Sequence, residues 1–141
     1  MINTKTKGQI SEARALYEFQ KRYIPVSIPW GDNERYDMIA EFNGKLNKIQ
    51  IKTCSVEVNG SIICYCRSST NHTTNKKLYK YQNDIDYFLF VNPINDMVAI
   101  VPIEVIGNHT QICLRTRPPK NNQRKNTHYF DDYLIDKIIQ N

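Results

Sequence analysis

The chain has 141 residues, a formal net charge of +5, and 40% hydrophobic and 11% aromatic residues, which is typical of one globular domain and excludes a disordered chain. No apolar run approaches the roughly 20 residues of a membrane-spanning helix, and the first residues lack the apolar stretch of a signal peptide. We therefore expect one intracellular, cytoplasmic domain over residues 1–141 with no membrane partner, and its positive charge favours a polyanionic partner.

The first predicted element is a helix over about residues 7–22. Its apolar stripe, read at 3.6 residues per turn, consists of Ala15, Leu16, Phe19 and Tyr23. Glu12 lies at the head of the same stripe, where a buried carboxylate would need a partner. Two interpretations stay open: Glu12 is a functional acid that faces inward, or it is a solvated acid that the helix dipole favours near the N-terminus.

A β-hairpin is the next major feature of the sequence. A short edge strand over 24–29 precedes it, because two prolines exclude that segment from the centre of a sheet. The hairpin strands cover 36–42 and 45–53, and Asn43-Gly44 between them is the dipeptide that most strongly indicates a two-residue turn.

The register of this hairpin brings polar side chains together. With Phe42 opposite Lys45, counting back along both strands places Asp37 opposite Gln50. Lys52 emerges on the same face as Gln50, because side chains alternate along a strand. The opposite face, which we expect to contact a core helix, consists of Ile49, Ile51 and Thr53. A carboxylate, an amide and an ammonium group thus share one patch; the ordinary alternative is an aspartate at a strand start beside a solvated Gln-x-Lys face.

The remaining elements are shorter and more varied. In chain order they are a hairpin with strands over 55–58 and 61–66, a polar segment over 67–82, a buried strand over 87–91, a returning strand over 97–101, a short helix over 103–106, a strand over 112–115, a basic loop over 117–126 and a C-terminal helix over 129–139. The polar segment is either a loop with a short helical turn or an ordered binding element.

The cysteines do not indicate a metal site. They are Cys54, Cys64, Cys66 and Cys113. No Cys-x-x-Cys occurs and the three histidines are scattered, so the usual spacing of zinc ligands is missing. We expect free thiols that are mostly packed as small hydrophobic side chains.

The polar patch has the groups that phosphodiester hydrolysis requires. Mg²⁺ prefers oxygen ligands, and Mn²⁺ is the alternative ion that we consider. Glu12 and Asp37 would supply carboxylate oxygens, Gln50 its side-chain carbonyl, and Ile51 its main-chain carbonyl. Lys52 would orient or help to deprotonate the attacking water and offset the phosphate charge.

Three stretches of the chain, over 6–13, 35–38 and 44–53, resemble the PD-(D/E)XK nuclease superfamily. The resemblance is closest to intron-encoded homing endonucleases that carry glutamine in place of the usual acid, and weaker likeness continues over 83–88 and 114–123. Two departures stand out: Tyr36 replaces the proline before Asp37, and Gln50 removes one negative charge from the site.

The resemblance implies an α/β, restriction-endonuclease-like domain with a central mixed β-sheet flanked by helices, in the order helix, three strands, helix, strand. It also implies magnesium-dependent cleavage of double-stranded DNA by an oligomer. A homodimer or homotetramer is independently favoured, because two sites related by a two-fold axis can cut both strands. In a bacterium or phage the protein would be associated with the nucleoid.

We therefore expect a sequence-specific, metal-dependent endonuclease with Glu12, Asp37, Gln50 and Lys52 as its catalytic residues. A Holliday junction resolvase or another structure-selective nuclease is the alternative on the same fold. A non-catalytic DNA-binding module is the alternative from another class, although the retained Glu12 and Lys52 argue against a decayed site.

Two basic stretches are the candidate DNA contacts. The cations would bind phosphates without reading sequence, whereas the amides could read adenine edges in the major groove. The predicted residues are Lys76, Lys77, Lys80, Arg115, Arg117, Lys120, Asn122, Gln123, Arg124 and Lys125. The alternative is two solvated surface loops, but the absence of any acid between residues 115 and 126 favours DNA binding for the second stretch.

Overall fold

The computed structural model describes residues 3–69, 78–80, 84–117 and 127–140. The helices in this part of the chain are α1 (Thr4–Gln20), α2 (Ile103–Ile106) and α3 (Ile135–Ile138), with a 3-10 helix at Phe130–Tyr133. The strands are β1 (Val26–Ser27), β2 (Met38–Phe42), β3 (Lys45–Thr53), β4 (Val56–Val58), β5 (Ser61–Tyr65), β6 (Arg67–Ser69), β7 (Leu78–Lys80), β8 (Tyr87–Asn92), β9 (Met97–Pro102), β10 (Gln111–Arg115) and β11 (His128–Tyr129).

Two mixed sheets form the body of the protein. The first has the strand order β1-β2-β3-β8-β9, with β3 and β8 parallel and the other neighbours antiparallel. The second has the order β11-β10-β5-β4, with β10 and β11 parallel. A two-stranded sheet pairs β6 with β7. This confirms the predicted α/β fold with a mixed central sheet.

The first hairpin has the predicted register. Phe42 pairs with Lys45, and the ladder continues to Met38 opposite Ile49. Asn43 and Gly44 have φ angles of 53° and 74°, as a type I′ turn requires at both central positions. The second Asn-Gly pair, at residues 59 and 60, also has positive φ angles and joins β4 to β5 as predicted.

Helix α1 covers one face of the first sheet, but with a stripe that differs from the predicted one. Asn3 caps the helix by accepting a hydrogen bond from the Thr6 amide. The buried residues are Ser11, Ala15, Glu18 and Phe19. Leu16 is 40% exposed and Tyr23 is 93% exposed, so their predicted burial is wrong. Tyr23 lies beyond the helix with a φ of 58°, which takes its side chain off the stripe.

The apolar strand β8 lies between two hydrophobic cores. Leu89 and Val91 join the core that contains Ala15 and Phe19 of α1 and Ile49 and Ile51 of β3. Phe88 and Phe90 face the other way, into a core shared with the second sheet, through Ile62, Cys64, Ile112 and Leu114. Burial on both faces explains the continuous apolar run, and it means that the second sheet covers the face of the first sheet opposite α1.

The predicted C-terminal helix over 129–139 is wrong. The chain forms β11, the 3-10 helix and α3 in succession. Leu134 interrupts the helical run because it is extended, with a ψ of 147°, and forms an isolated bridge with Ala99 of β9. A tertiary backbone contact thus overrides the local helical pattern.

The family resemblance implies a helix before the fourth strand. In the first sheet the fourth strand is β8, and residues 70–77 and 81–83 of the connection from β3 to β8 lie outside the described residues. A turn at residues 93–96 joins β8 to β9, and α2 follows β9. The predicted edge strand over 24–29 shortens to β1 and does occupy the sheet edge. No helix among the described residues is both long and apolar enough to cross a membrane.

Candidate active site

A cleft of about 420 Å³ opens between the first half of α1, the start of β2 and the end of β3. The residues that line it are Thr4, Lys7, Gly8, Glu12, Asp37, Gln50, Ile51, Lys52, Thr53 and Ser55. All five residues proposed for the metal and catalytic site are among them. The hairpin register and the placement of α1 therefore bring together groups that are up to 40 positions apart (12 to 52) in the sequence.

Asp37 is held by two hydrogen bonds to β3. Its amide donates to the Ile49 carbonyl at 2.8 Å, and its Oδ2 accepts from the Ile51 amide at 2.8 Å. Because β2 begins at Met38, the Ile51 amide has no strand partner on that side, and the Asp37 carboxylate takes the place of one. Oδ1 accepts no hydrogen bond from the described part of the chain, so it is free to bind a ligand.

The two carboxylates in the cleft share an environment that disfavours negative charge. Burial raises the pKa of Asp37, against the lowering effects of the Ile51 amide and the Lys52 ammonium. Partial desolvation at the cleft and then the Asp37 charge raise the pKa of Glu12. A cation between the two groups would relieve both effects. Glu12 is exposed at the cleft rather than in the core, so the predicted inward-facing acid lies at the edge of the helix stripe.

The Lys52 side chain contacts the two-stranded sheet of β6 and β7. Its Nζ donates to the main-chain carbonyl of Arg67 at 3.2 Å. It also lies close enough to Asp37 to lower that carboxyl's pKa. Gln50 is half-buried and lines the same cleft, whereas the Ile51 side chain is buried in the α1 core. The predicted alternation of faces along β3 is thus confirmed.

Several residues of the cleft were not predicted from the sequence. Thr4 and Gly8 lie at intervals of four from Glu12 and so share one face of α1. Lys7 adds a second lysine to the lining of the cleft. The four-residue spacing was the available signal for both residues, and for Thr4 it was obscured because the predicted helix began at residue 7.

The donor set of the cleft fits a hard divalent cation. No group of three or more His, Cys, Asp or Glu side chains suited to a metal occurs in the described residues. The cleft instead combines two carboxylates, from Glu12 and Asp37, with the Gln50 amide and the Ile51 backbone. Oxygen donors of this kind suit Mg²⁺, which keeps several of its own waters.

The cysteines are free, as expected. Cys54, Cys64 and Cys66 are buried, and Cys113 is exposed. Burial is the main cause that raises the pKa of Cys66 to about 12. The three buried thiols contribute to the core between the two sheets.

Of the predicted DNA-contacting residues, Arg115 and Arg117 have described side chains. The Arg115 guanidinium donates to the Arg117 carbonyl at 3.0 Å and to Ser61 Oγ at 3.3 Å. The exposed Arg117 side chain packs against Gly60, where an added Cβ would meet its Nε at 2.7 Å. Lys80 contributes its backbone to β7. The other predicted contacts lie outside the described residues: Lys76, Lys77, Lys120, Asn122, Gln123, Arg124 and Lys125.

Comparison with known proteins agrees with this geometry. The sequence profile of the family described as PD-(D/E)XK endonuclease matches residues 2–136. A solved structure of a bacterial homing endonuclease, I-Ssp6803I, has a TM-score of 0.72 and 27% sequence identity, over 88% of this chain and 84% of that one. Curated protein sequences give no match. The family and the structural neighbour support a nuclease, an enzyme that hydrolyses phosphodiester bonds, and the chain belongs to the PD-(D/E)XK endonuclease family.

Proposed function

We propose that this nuclease is a metal-dependent endonuclease that cleaves double-stranded DNA at specific sequences. The observation that carries the proposal is the convergence of Glu12, Asp37, Gln50 and Lys52 on one cleft. Sequence specificity is supported by the similarity to a homing endonuclease. The alternatives are cleavage of branched DNA and binding without cleavage, and the experiment below separates the three.

Glu12, Asp37, Gln50 and the Ile51 carbonyl would hold Mg²⁺, or Mn²⁺ in its place. A divalent ion supplies charge neutralisation at the phosphate oxygens and makes a nearby water more acidic. Asp37 is suited to the role because one carboxylate oxygen is fixed by the Ile51 amide and the other is free among the described contacts. The raised pKa values of Glu12 and Asp37 indicate that both carboxylates gain from a bound cation.

Lys52 would act on the attacking water. The Arg67 carbonyl accepts a hydrogen bond from Nζ and so orients the ammonium group. An ammonium has three donors and can contact more than one acceptor at a time, such as a carbonyl together with a water or a phosphate oxygen. Lys52 would thereby position the nucleophile and offset the negative charge that develops on the phosphate.

Gln50 makes the site less negative than an acid at the same position would. Two carboxylates line the cleft, and Gln50 contributes a neutral oxygen where an acid would add a third negative charge. The repulsion between Glu12 and Asp37 is therefore smaller than it would be among three acids, while the electrostatic attraction for a cation is weaker. We propose that Gln50 lowers the affinity of the site for the metal ion and makes the two carboxylates easier to ionise.

DNA binding is proposed for the two basic stretches named above, and a homodimer or homotetramer for the active assembly. Arg117 has the strongest case of these residues, because its side chain is exposed and forms no ion pair with any part of the chain that the structure describes. The protein would therefore bind phosphates along the duplex and place one cleft at each strand.

The proposal is tested with a panel of duplex, four-way-junction and single-stranded DNAs of matched sequence, each incubated with Mg²⁺ or with EDTA. Metal-dependent cuts at defined positions in the duplex support the proposal. Preferential cutting of the junction would support a structure-selective nuclease instead. Binding of duplex without cleavage in either Mg²⁺ or Mn²⁺ would support a non-catalytic module.

A further inference from the structure

A pair of hydroxyl groups, from the buried Ser11 and the half-buried Thr53, joins α1 to the end of β3 beside the cleft. Ser11 is 2% exposed, and its Oγ lies 2.5 Å from Oγ1 of Thr53. The Thr53 hydroxyl also lies 3.5 Å from the main-chain carbonyl of Lys7, one turn earlier on the same helix. A buried hydroxyl requires a partner, and Thr53 supplies the partner of Ser11.

The two hydroxyls adjoin two residues of the proposed site. Ser11 directly precedes Glu12 in α1, and Thr53 directly follows Lys52 in β3. No hydrogen bond or ion pair holds the Glu12 carboxylate within the described part of the chain. Its position relative to Asp37 and Lys52 therefore depends on where α1 lies on the sheet.

The other contacts between α1 and the first sheet fix the position of the helix less precisely. Ala15 and Phe19 pack against Ile49 and Ile51, but apolar packing has no preferred direction. The Arg14 ion pair with Asp96, at 2.7 Å, is directional but is exposed and ties the helix to the turn between β8 and β9. Within the described part of the chain, the Thr53 hydroxyl thus makes the directional contacts between α1 and β3 at the cleft, to Ser11 and to the Lys7 carbonyl.

We propose that Ser11 and Thr53 are positioning residues that set the distance of Glu12 from Asp37 and Lys52, and through it the affinity for the divalent cation. This inference rests on the proposed function, since it assumes that the cleft binds the ion. Ser11 and Thr53 touch neither DNA nor the reacting atoms in this account. Their effect is expected in metal affinity rather than in DNA affinity.

The key variant is Thr53→Val, which keeps the side-chain shape and removes the hydroxyl. Ser11 can then donate to the carbonyl one turn back in its own helix, so the variant should fold. Thr53→Ser restores a hydroxyl at the same place. Asp96→Asn is the matched control, because it removes the charge of the remote ion pair and leaves the cleft untouched.

The experiment measures Mn²⁺ binding by electron paramagnetic resonance without DNA, and duplex binding in EDTA for the same proteins. We expect Thr53→Val to raise the Mn²⁺ dissociation constant about tenfold, the lower end of what supporting residues around metal sites contribute. Thr53→Ser and Asp96→Asn should stay within about twofold of the wild type. DNA affinity in EDTA should be unchanged in all of them.

Equal Mn²⁺ affinity in Thr53→Val and the wild type would overturn this inference alone, as would an equal loss in Asp96→Asn. Absence of Mn²⁺ binding and of cleavage in the wild type would overturn the proposed function, and this inference with it. Urea unfolding of each variant establishes that it is folded. If Thr53→Val does not fold, Ser11→Ala removes the same hydrogen bond from the other side and is held to the same criteria.

Discussion

The cleft at the first sheet and the surface of the second sheet use their polar residues in different ways. In the cleft, Asp37 is fixed by β3 and Lys52 by the Arg67 carbonyl, yet one Asp37 oxygen remains available. On the second sheet, the Arg115 guanidinium is engaged with the turn between β4 and β5. The type of a charged residue therefore does not reveal whether it serves the fold or a ligand, whereas its contacts do.

The largest effect is expected from replacing the lysine of the cleft. Lys52→Ala removes the ammonium group that is proposed to position the attacking water, so we expect duplex cleavage to fall by about 10²- to 10⁴-fold. Binding of duplex DNA in Ca²⁺ or EDTA should persist. Lys48→Ala is the matched control, because Lys48 is an exposed lysine of the same strand outside the cleft. Retained cleavage in Lys52→Ala would remove Lys52 from the mechanism.

Glu12→Gln tests the second carboxylate. Loss of one charged ligand should weaken metal binding by about 10- to 100-fold, and cleavage at low Mg²⁺ should fall accordingly. Glu41→Gln, an exposed acid of β2, is the control and should behave as the wild type. The half-saturating Mg²⁺ concentration for cleavage is the measurement, and an unshifted value in Glu12→Gln would exclude Glu12 as a ligand.

The same variant has a predicted effect on stability without metal. The pKa of Glu12 in the folded protein is raised above its ordinary value of 4.5, so above that pH the folded state binds more protons than the unfolded chain. The free energy of unfolding therefore falls as pH rises through this window. Glu12→Gln should show a smaller fall than the wild type in urea unfolding between pH 4.5 and 7 in EDTA. An equal fall would mean that Glu12 is not held in the environment described.

Gln50→Glu sharpens the account of the site charge. A third carboxylate should tighten divalent-metal binding by about tenfold at neutral pH, because ligand charge tunes affinity. The gain should shrink as pH falls, since the added charge raises the pKa of its neighbours further. Gln111→Glu places the same charge on an exposed position of β10 as the control. Metal titrations that do not distinguish the two variants would argue against Gln50 as a ligand.

The smallest expected effect separates the two arginines of the second sheet. Arg117→Gln should reduce the slope of log affinity against log salt for duplex binding by about 0.9, the contribution of one phosphate contact. Arg115→Gln should instead lower the free energy of unfolding by about 1 kcal/mol, because it removes hydrogen bonds to the neighbouring turn. Salt titrations and urea unfolding of both variants decide the question, and the opposite pattern would reverse the two roles.

The sequence was informative where local rules determine structure. Asn43-Gly44 selects the turn, the turn fixes the register, and the register places Asp37 beside Gln50. The same reasoning failed where contacts between residues far apart in the sequence determine the structure. Leu134 is pulled from a helix by its bridge to Ala99, and the hydroxyl pair of Ser11 and Thr53 spans 42 residues. Such contacts depend on how complete elements pack, which no local pattern records.

The most direct test of the central claim is the binding of Mn²⁺, measured without DNA, to the wild type and to Asp37→Asn. The asparagine oxygen can still accept from the Ile51 amide, so the variant keeps its fold and loses only the charge. We expect the wild type to bind Mn²⁺ and Mg²⁺ to displace it. We expect Asp37→Asn to bind Mn²⁺ at least about tenfold more weakly. Equal binding by both proteins, or none by the wild type, would contradict the central claim.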